Sequence, residues 1–81
     1  MEKRLGFIGI IIEDRENYAK EVNAVISEFV DFIIARTGVP YREKSIAVIT
    51  LSVDIDTDTL GRFTGKLGEI PSVQVKSALG K

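Results

Sequence analysis

Asp54, Asp56 and Asp58 stand at alternate positions, the spacing with which a calcium loop begins, where hard oxygen donors converge on one cation. The pattern then breaks. The sixth position holds Thr59 instead of the glycine of the sharp turn, and the twelfth holds Gly65 instead of the bidentate glutamate. Helix capping is the better use for these residues, because a carboxylate ahead of an apolar-periodic segment accepts the orphan N–H groups of a first turn. The stretch "GRFTGK", residues 61–66, fails in a similar way as a phosphate loop. It has three residues between its glycines instead of four, and Leu67 where a Ser or Thr would hold magnesium. The chain contains no histidine and no cysteine. Imidazole general bases, thiolate nucleophiles and thiolate or imidazole metal sites are therefore all excluded. No acid–base carboxylate pair stands out, so neither an enzyme nor a bound cofactor is expected.

Two polar clusters are left as candidates. Glu13, Asp14, Arg15 and Asn17 fall where a first apolar run gives way to a helical pattern. Asp14 suits an N-cap and Glu16 the negatively charged first turn. The N–H groups of a helix start, with polar side chains beside them, can also hold a small ligand. Arg36, Tyr41 and Arg42, with Lys44, crowd the middle of the chain around Pro40. Such charges can bind a carboxylate or an acidic partner. They can equally shield an exposed sheet edge, where a proline offers no N–H to an unwanted neighbour.

These clusters need elements to position them. Residues 3–12 are rich in β-branched side chains, with Leu5, Phe7, Gly9 and Ile11 on one face and Gly6, Ile8, Ile10 and Ile12 on the other. Apolar residues on both faces predict a central strand covered on both sides. From Tyr18 the period lengthens, and Val22, Val25, Ile26 and Phe29 complete the apolar stripe of an amphipathic helix. Residues 29–38 read either as a continuation of that helix through Ile33 or as a strand, "VDFIIART" at 30–37, with Val30, Phe32 and Ile34 on one face. Their aromatic and β-branched content favours the strand. Residues 45–54 form a strand with Ala47, Ile49, Leu51 and Val53 on one face, which makes residues 36–45 a hairpin turning over 38–44. Residues 56–68 give a second helix with Leu60, Phe63 and Leu67 on its apolar side. Gly61, Gly65 and Gly68 form a smooth side that predicts a closely packed backbone. Pro71 then forces extended geometry, and residues 72–79 alternate as a half-wet edge strand. The order βαββαβ predicts an α+β, ferredoxin-like fold: an antiparallel four-stranded sheet with two helices on one face.

All 81 residues fit one small domain. A chain so short is marginal alone, and no disulfide can brace it. Its 44% hydrophobic content and mean hydropathy of +0.12 exceed what one such core requires. The excess predicts a homo-oligomer, a dimer or tetramer, in which the bare sheet face, an edge strand or both are buried. The net charge of −1, without a basic stripe, argues against nucleic-acid or anionic-membrane binding. No run approaches the roughly 20 apolar residues of a membrane span. The N-terminal run reads as a strand and not a leader, and a cytoplasmic location is expected.

Three stretches carry a family resemblance: "IGIIIEDREN" at 8–17, "GVPYREKSIAVITLSVD" at 38–54 and "GKLGEIPSVQVKSALGK" at 65–81. Across nearly its whole length the chain resembles the iron-only hydrogenase system regulator family, a stand-alone domain related to ACT domains and to the C-terminal sensing domain of nickel-responsive repressors. The resemblance implies an ACT-like fold, oligomerisation and a ligand-responsive regulatory role. ACT-type domains take small molecules near the first strand–helix turn and at subunit interfaces, which here implies Glu13, Asp14, Arg15 and Asn17. The nickel site of the repressors is not implied, since its histidines and cysteine are missing, and direct nucleic-acid binding is not expected. The function expected is thus a regulator that senses a small-molecule effector or modulates a protein partner. The alternative is an interaction protein that acts through the 36–45 hairpin without a ligand.

Overall fold

The computed structural model describes residues 2–80, apart from the side chain of Arg42, which lies outside the described set. The elements run β1 (Arg4–Ile12), α1 (Arg15–Glu28), β2 (Ile33–Tyr41), β3 (Ile46–Ile55), α2 (Thr57–Gly68) and β4 (Val73–Leu79). The strands form one antiparallel sheet in the order β2-β3-β1-β4, so β1 and β3 are central and β2 and β4 are edges. This is the expected βαββαβ plan. No helix among the described residues is long and apolar enough to cross a membrane.

The period of two in β1 divides its residues cleanly. Ile8, Ile10 and Ile12 are buried beneath the helices beside Ile49, Leu51, Val53 and Ile55 of β3. From α1, Val22, Ile26 and Phe29 enter the same core, and from α2 Phe63 and Leu67. Phe29 and Phe63 stack with ring centroids 4.4 Å apart and tie the helices together. Burying a ring of that size contributes about 1.5–3 kcal/mol. The cover expected on the second face of β1 is not supplied within the chain. Leu5 and Phe7 remain more than half exposed, and Ile11, Val48 and Val39 are exposed beside them.

Residues 29–38 are neither pure helix nor pure strand. Helix α1 ends at Glu28, a 3-10 turn occupies Val30–Phe32, and β2 begins only at Ile33. A register slip between Ile33 and Ala35 then breaks the expected common face of Val30, Phe32 and Ile34. The hairpin turn is also shorter than expected. Strand pairing persists through Gly38, Val39 and Pro40 to Tyr41, which lies opposite Ile46. Proline is tolerated there because β2 is an edge strand. Only a 3-10 turn, Arg42–Lys44, and Ser45 in the left-handed region (φ 55°) reverse the chain. The glycine side of α2 is a further correction. A methyl group on Gly61, Gly65 or Gly68 would meet nothing within 4 Å, so no backbone packs against it within the chain.

Candidate functional site

Three connections meet at one end of the sheet. The β1–α1 turn is held from both sides by serines in left-handed backbone, Ser45 (φ 55°) and Ser72 (φ 66°). The Glu13 N–H donates to the Ser72 carbonyl at 2.8 Å, and the Asp14 N–H to the Ser72 hydroxyl at 3.1 Å. The Arg15 N–H donates to the Ser45 carbonyl at 2.8 Å. A left-handed non-glycine residue costs roughly 1–2 kcal/mol. Here Ser45 aims its carbonyl at the first N–H of α1, which the helix itself leaves unpaired, and Ser72 aims its own at the Glu13 N–H of the turn before it.

This clamp separates the expected first cluster into working parts. Asp14 caps α1, accepting from the Asn17 N–H at 3.4 Å and from Asn17 Nδ2 at 2.8 Å. Glu13 accepts from Gln74 Nε2 at 3.0 Å and braces β4. Arg15 differs from both. It is half-buried, its Nε is shut off from solvent without a hydrogen-bond partner, and so is the hydroxyl of Ser45. The hairpin trio separates as well. Arg36 shares the phase of Gly38 and Pro40, opposite the core residues Leu51, Ile49 and Ala47, and so turns toward α1. Its Nη2 donates to Asn23 Oδ1 at 2.5 Å. Tyr41 has the opposite phase and stands on the open sheet face.

The structure brings together one member of each cluster. Arg15 and Arg36 line a depression of about 250 Å³ between α1 and β2, with Ala19, Asn23, Gly38 and Pro40 on its walls and Ile12, Ala47 and Ile49 beneath. Among the described residues neither guanidinium lies within ion-pair reach of a carboxylate. Two cationic forks over an apolar floor can hold a small anion that carries a compact apolar part. The sequence held a signal for this pairing. Arg15, Ala19 and Asn23 repeat at i, i+4 and i+8 on one side of α1, with alanine leaving room between two polar groups.

Other polar features are already satisfied. A larger open groove, about 460 Å³, runs beside Gly61 and Gly65, but its Lys66 is bonded to Glu28 at 2.6 Å. Asp56 caps α2, its two oxygens accepting from the Thr59 N–H at 3.0 Å and the Thr59 hydroxyl at 2.7 Å. These bonds, the hydroxyl's first, hold its carboxyl below the ordinary value against the opposing effect of desolvation. They also occupy the central member of the Asp54–Asp58 series.

Residues 4–77 match the TM1266-like family, described as "Iron-only hydrogenase system regulator, putative". The chain belongs to this family. The uncharacterized protein TM1266 of Thermotoga maritima is 41% identical over 99% of this chain and 100% of its own, and superposes with a TM-score of 0.93. The ACT domain from GTP pyrophosphokinase of Chlorobium tepidum is 25% identical over 94% of this chain and 99% of its own, with a TM-score of 0.78. The apo form of CPII from Thiomonas intermedia, a nitrogen regulatory PII-like protein, shares the fold at 15% identity and a TM-score of 0.56 over 94% and 90% of the two chains. No curated protein matches. The fold is therefore ACT-like, in a family of regulatory description.

Proposed function

We propose that the chain is a non-enzymatic, homo-oligomeric regulatory module whose effector is a small anion bound between α1 and β2. The observation that carries this reading is the convergence of Arg15 and Arg36, without carboxylate partners, on one apolar-floored depression. The family supplies the regulatory setting. The site proposed differs in composition from the cluster read in the sequence. Asp14, Asn17 and Glu13 shape the turn, and Arg15 alone of that group faces the depression. A volume near 250 Å³ lies below the usual range of drug-sized pockets and suits an amino-acid-sized carboxylate.

Thermal unfolding in the presence of individual amino acids, simple carboxylates and inorganic phosphate tests this reading. A binder at a hundredfold its Kd stabilises the folded state by about 2.7 kcal/mol. At least one of these anions is expected to raise Tm, and Arg15→Ala and Arg36→Ala each to abolish the rise. An undiminished shift in the Arg15→Ala, Arg36→Ala double variant would overturn the site, and no shift with any anion would overturn the sensing role.

A further inference from the structure

We infer that the ligand of the depression between α1 and β2 is an α,ω-dicarboxylate without an amino group, one carboxylate held by Arg15 and the other by Arg36; this rests on the anion-site reading and names the class of anion. What the walls offer a ligand decides against an amino acid. No carboxylate lines the depression. Asn23 is the one lining side chain with an acceptor oxygen among the described residues, and that Oδ1 already accepts from Arg36 Nη2. Its Nδ2 donates to the Ala19 carbonyl at 2.9 Å, which fixes the amide and anchors Arg36 at the Asn23 end. Arg15 has its Nε buried without a partner, and neither guanidinium has a carboxylate in ion-pair reach among the described residues. The free side-chain groups of the site are thus donors alone, and they carry two uncompensated positive charges. An α-ammonium entering here would meet no side-chain acceptor and two like charges, so it would lose affinity that a plain carboxylate keeps.

Two independent rulers show that the arginines stand at opposite ends. On α1, Arg15 and Asn23 fall at i and i+8, about 12 Å apart along the axis at 1.5 Å per residue. On β2, the Arg15 end is marked by the Ser45 carbonyl that its N–H meets and by Pro40 opposite Ala47. Arg36 lies at i−4 from Pro40, about 13 Å away at 3.3 Å per residue. A helical side chain leans toward the helix N-terminus, so Arg15 does not fold back toward Asn23. One carboxylate gripped by Arg36 therefore leaves Arg15 without a counter-charge, and a second anionic group at the far end supplies it. Between the ends lie the side chains of Ile12, Ala47 and Ile49 and the Ala19 methyl, which suit a methylene chain and no further polar group. Size then sets the length. A volume of about 250 Å³ equals the share of roughly eight liquid waters, close to the about eight to ten non-hydrogen atoms of a dicarboxylate with about four to six carbons.

Calorimetric titration of the full chain with glutarate, glutamate and pentanoate provides the test. The three share one carbon chain and differ only in the ammonium or the second carboxylate. Glutarate is expected to bind at least about tenfold more tightly than either of the others, the effect of one charged hydrogen-bonded contact. Along the series from malonate to suberate, affinity is expected to peak at succinate, glutarate or adipate. Arg15→Ala and Arg36→Ala, checked for folding by circular dichroism, are each expected to bring glutarate down to the level of pentanoate. Glutamate binding as tightly as glutarate would overturn the dicarboxylate and leave the anion site standing. So would pentanoate or inorganic phosphate matching glutarate, which would mean that one anionic group suffices, and so would a peak at malonate or suberate. Glutarate binding unchanged in both variants, or no binding by any of these anions, would overturn the anion site and the dicarboxylate with it.

Discussion

Single residues show how far a side chain's type constrains its use. Asp56 was legible as a cap because a carboxylate precedes an apolar-periodic segment, and Thr59 fills the sixth position that a calcium loop reserves for glycine. In the fold Thr59 supplies both donors to Asp56. Those bonds favour the ionised form, so the folded pKa lies below the unfolded one. A carboxyl depressed in this way stabilises the fold fully above its unfolded pKa, near 3.9. The contribution disappears as pH falls through the lower, folded value. Asp56→Asn keeps a cap but removes the charge. At pH 7 the variant is expected to melt below the wild type, and the gap to close as pH falls through 4 toward 2. Thermal melts across that range check it, and a gap independent of pH would mean that the ionised form is not favoured. The role of Arg15 was harder to read. Its chain neighbours Asp14 and Glu16 are acidic, yet its side chain joins Arg36 from another element, and such a meeting is decided by how α1 lies on the sheet.

At the scale of elements, period was a good guide and boundaries a poor one. The alternation in β1 told which isoleucines share a face, because the side-chain period is two, but with both faces apolar it did not tell that Ile11 would stay exposed while Ile8, Ile10 and Ile12 entered the core. The start of β2 was not legible. Phe29, Val30 and Phe32 can continue a helix although their composition favours a strand, and the chain takes neither course there but a 3-10 turn between the two. The turn residues misled for a related reason. Gly38 and Pro40 usually punctuate, but opposite a long central strand they continue the ladder as an edge. The glycines of α2 present the reverse problem, a smooth surface with nothing against it. Gly61 and Gly65 lie in the helix interior, and neither has a positive φ. Gly61→Ala and Gly65→Ala are each expected to stabilise the fold by about 0.5–1 kcal/mol, through helix propensity and a less flexible unfolded chain. Denaturant titration measures this, and a loss of stability would show that a second molecule packs against α2.

The whole molecule is a one-sided sheet, with both helices and the core on one face and exposed apolar residues on the other. Its accessible surface of 5234 Å² exceeds the roughly 4,800 Å² expected of a compact monomer of this length, and the uncovered sheet face accounts for the sense of the excess. Strand β2 belongs to both surfaces. Arg36, Gly38 and Pro40 look toward α1 and line the proposed anion site, whose rim Val39 also reaches, while Thr37 and Tyr41, in the opposite phase, join the open face. Under the proposed homo-oligomeric reading, an anion that displaces this edge strand also moves part of the open face, so anion affinity and self-association are linked reciprocally. Sedimentation velocity with and without the best anion from the thermal screen is expected to show the apparent association constant shifted by about 5-fold or more, the lower end of ordinary couplings. An unchanged constant would show that the strand joins the two faces without transmitting between them.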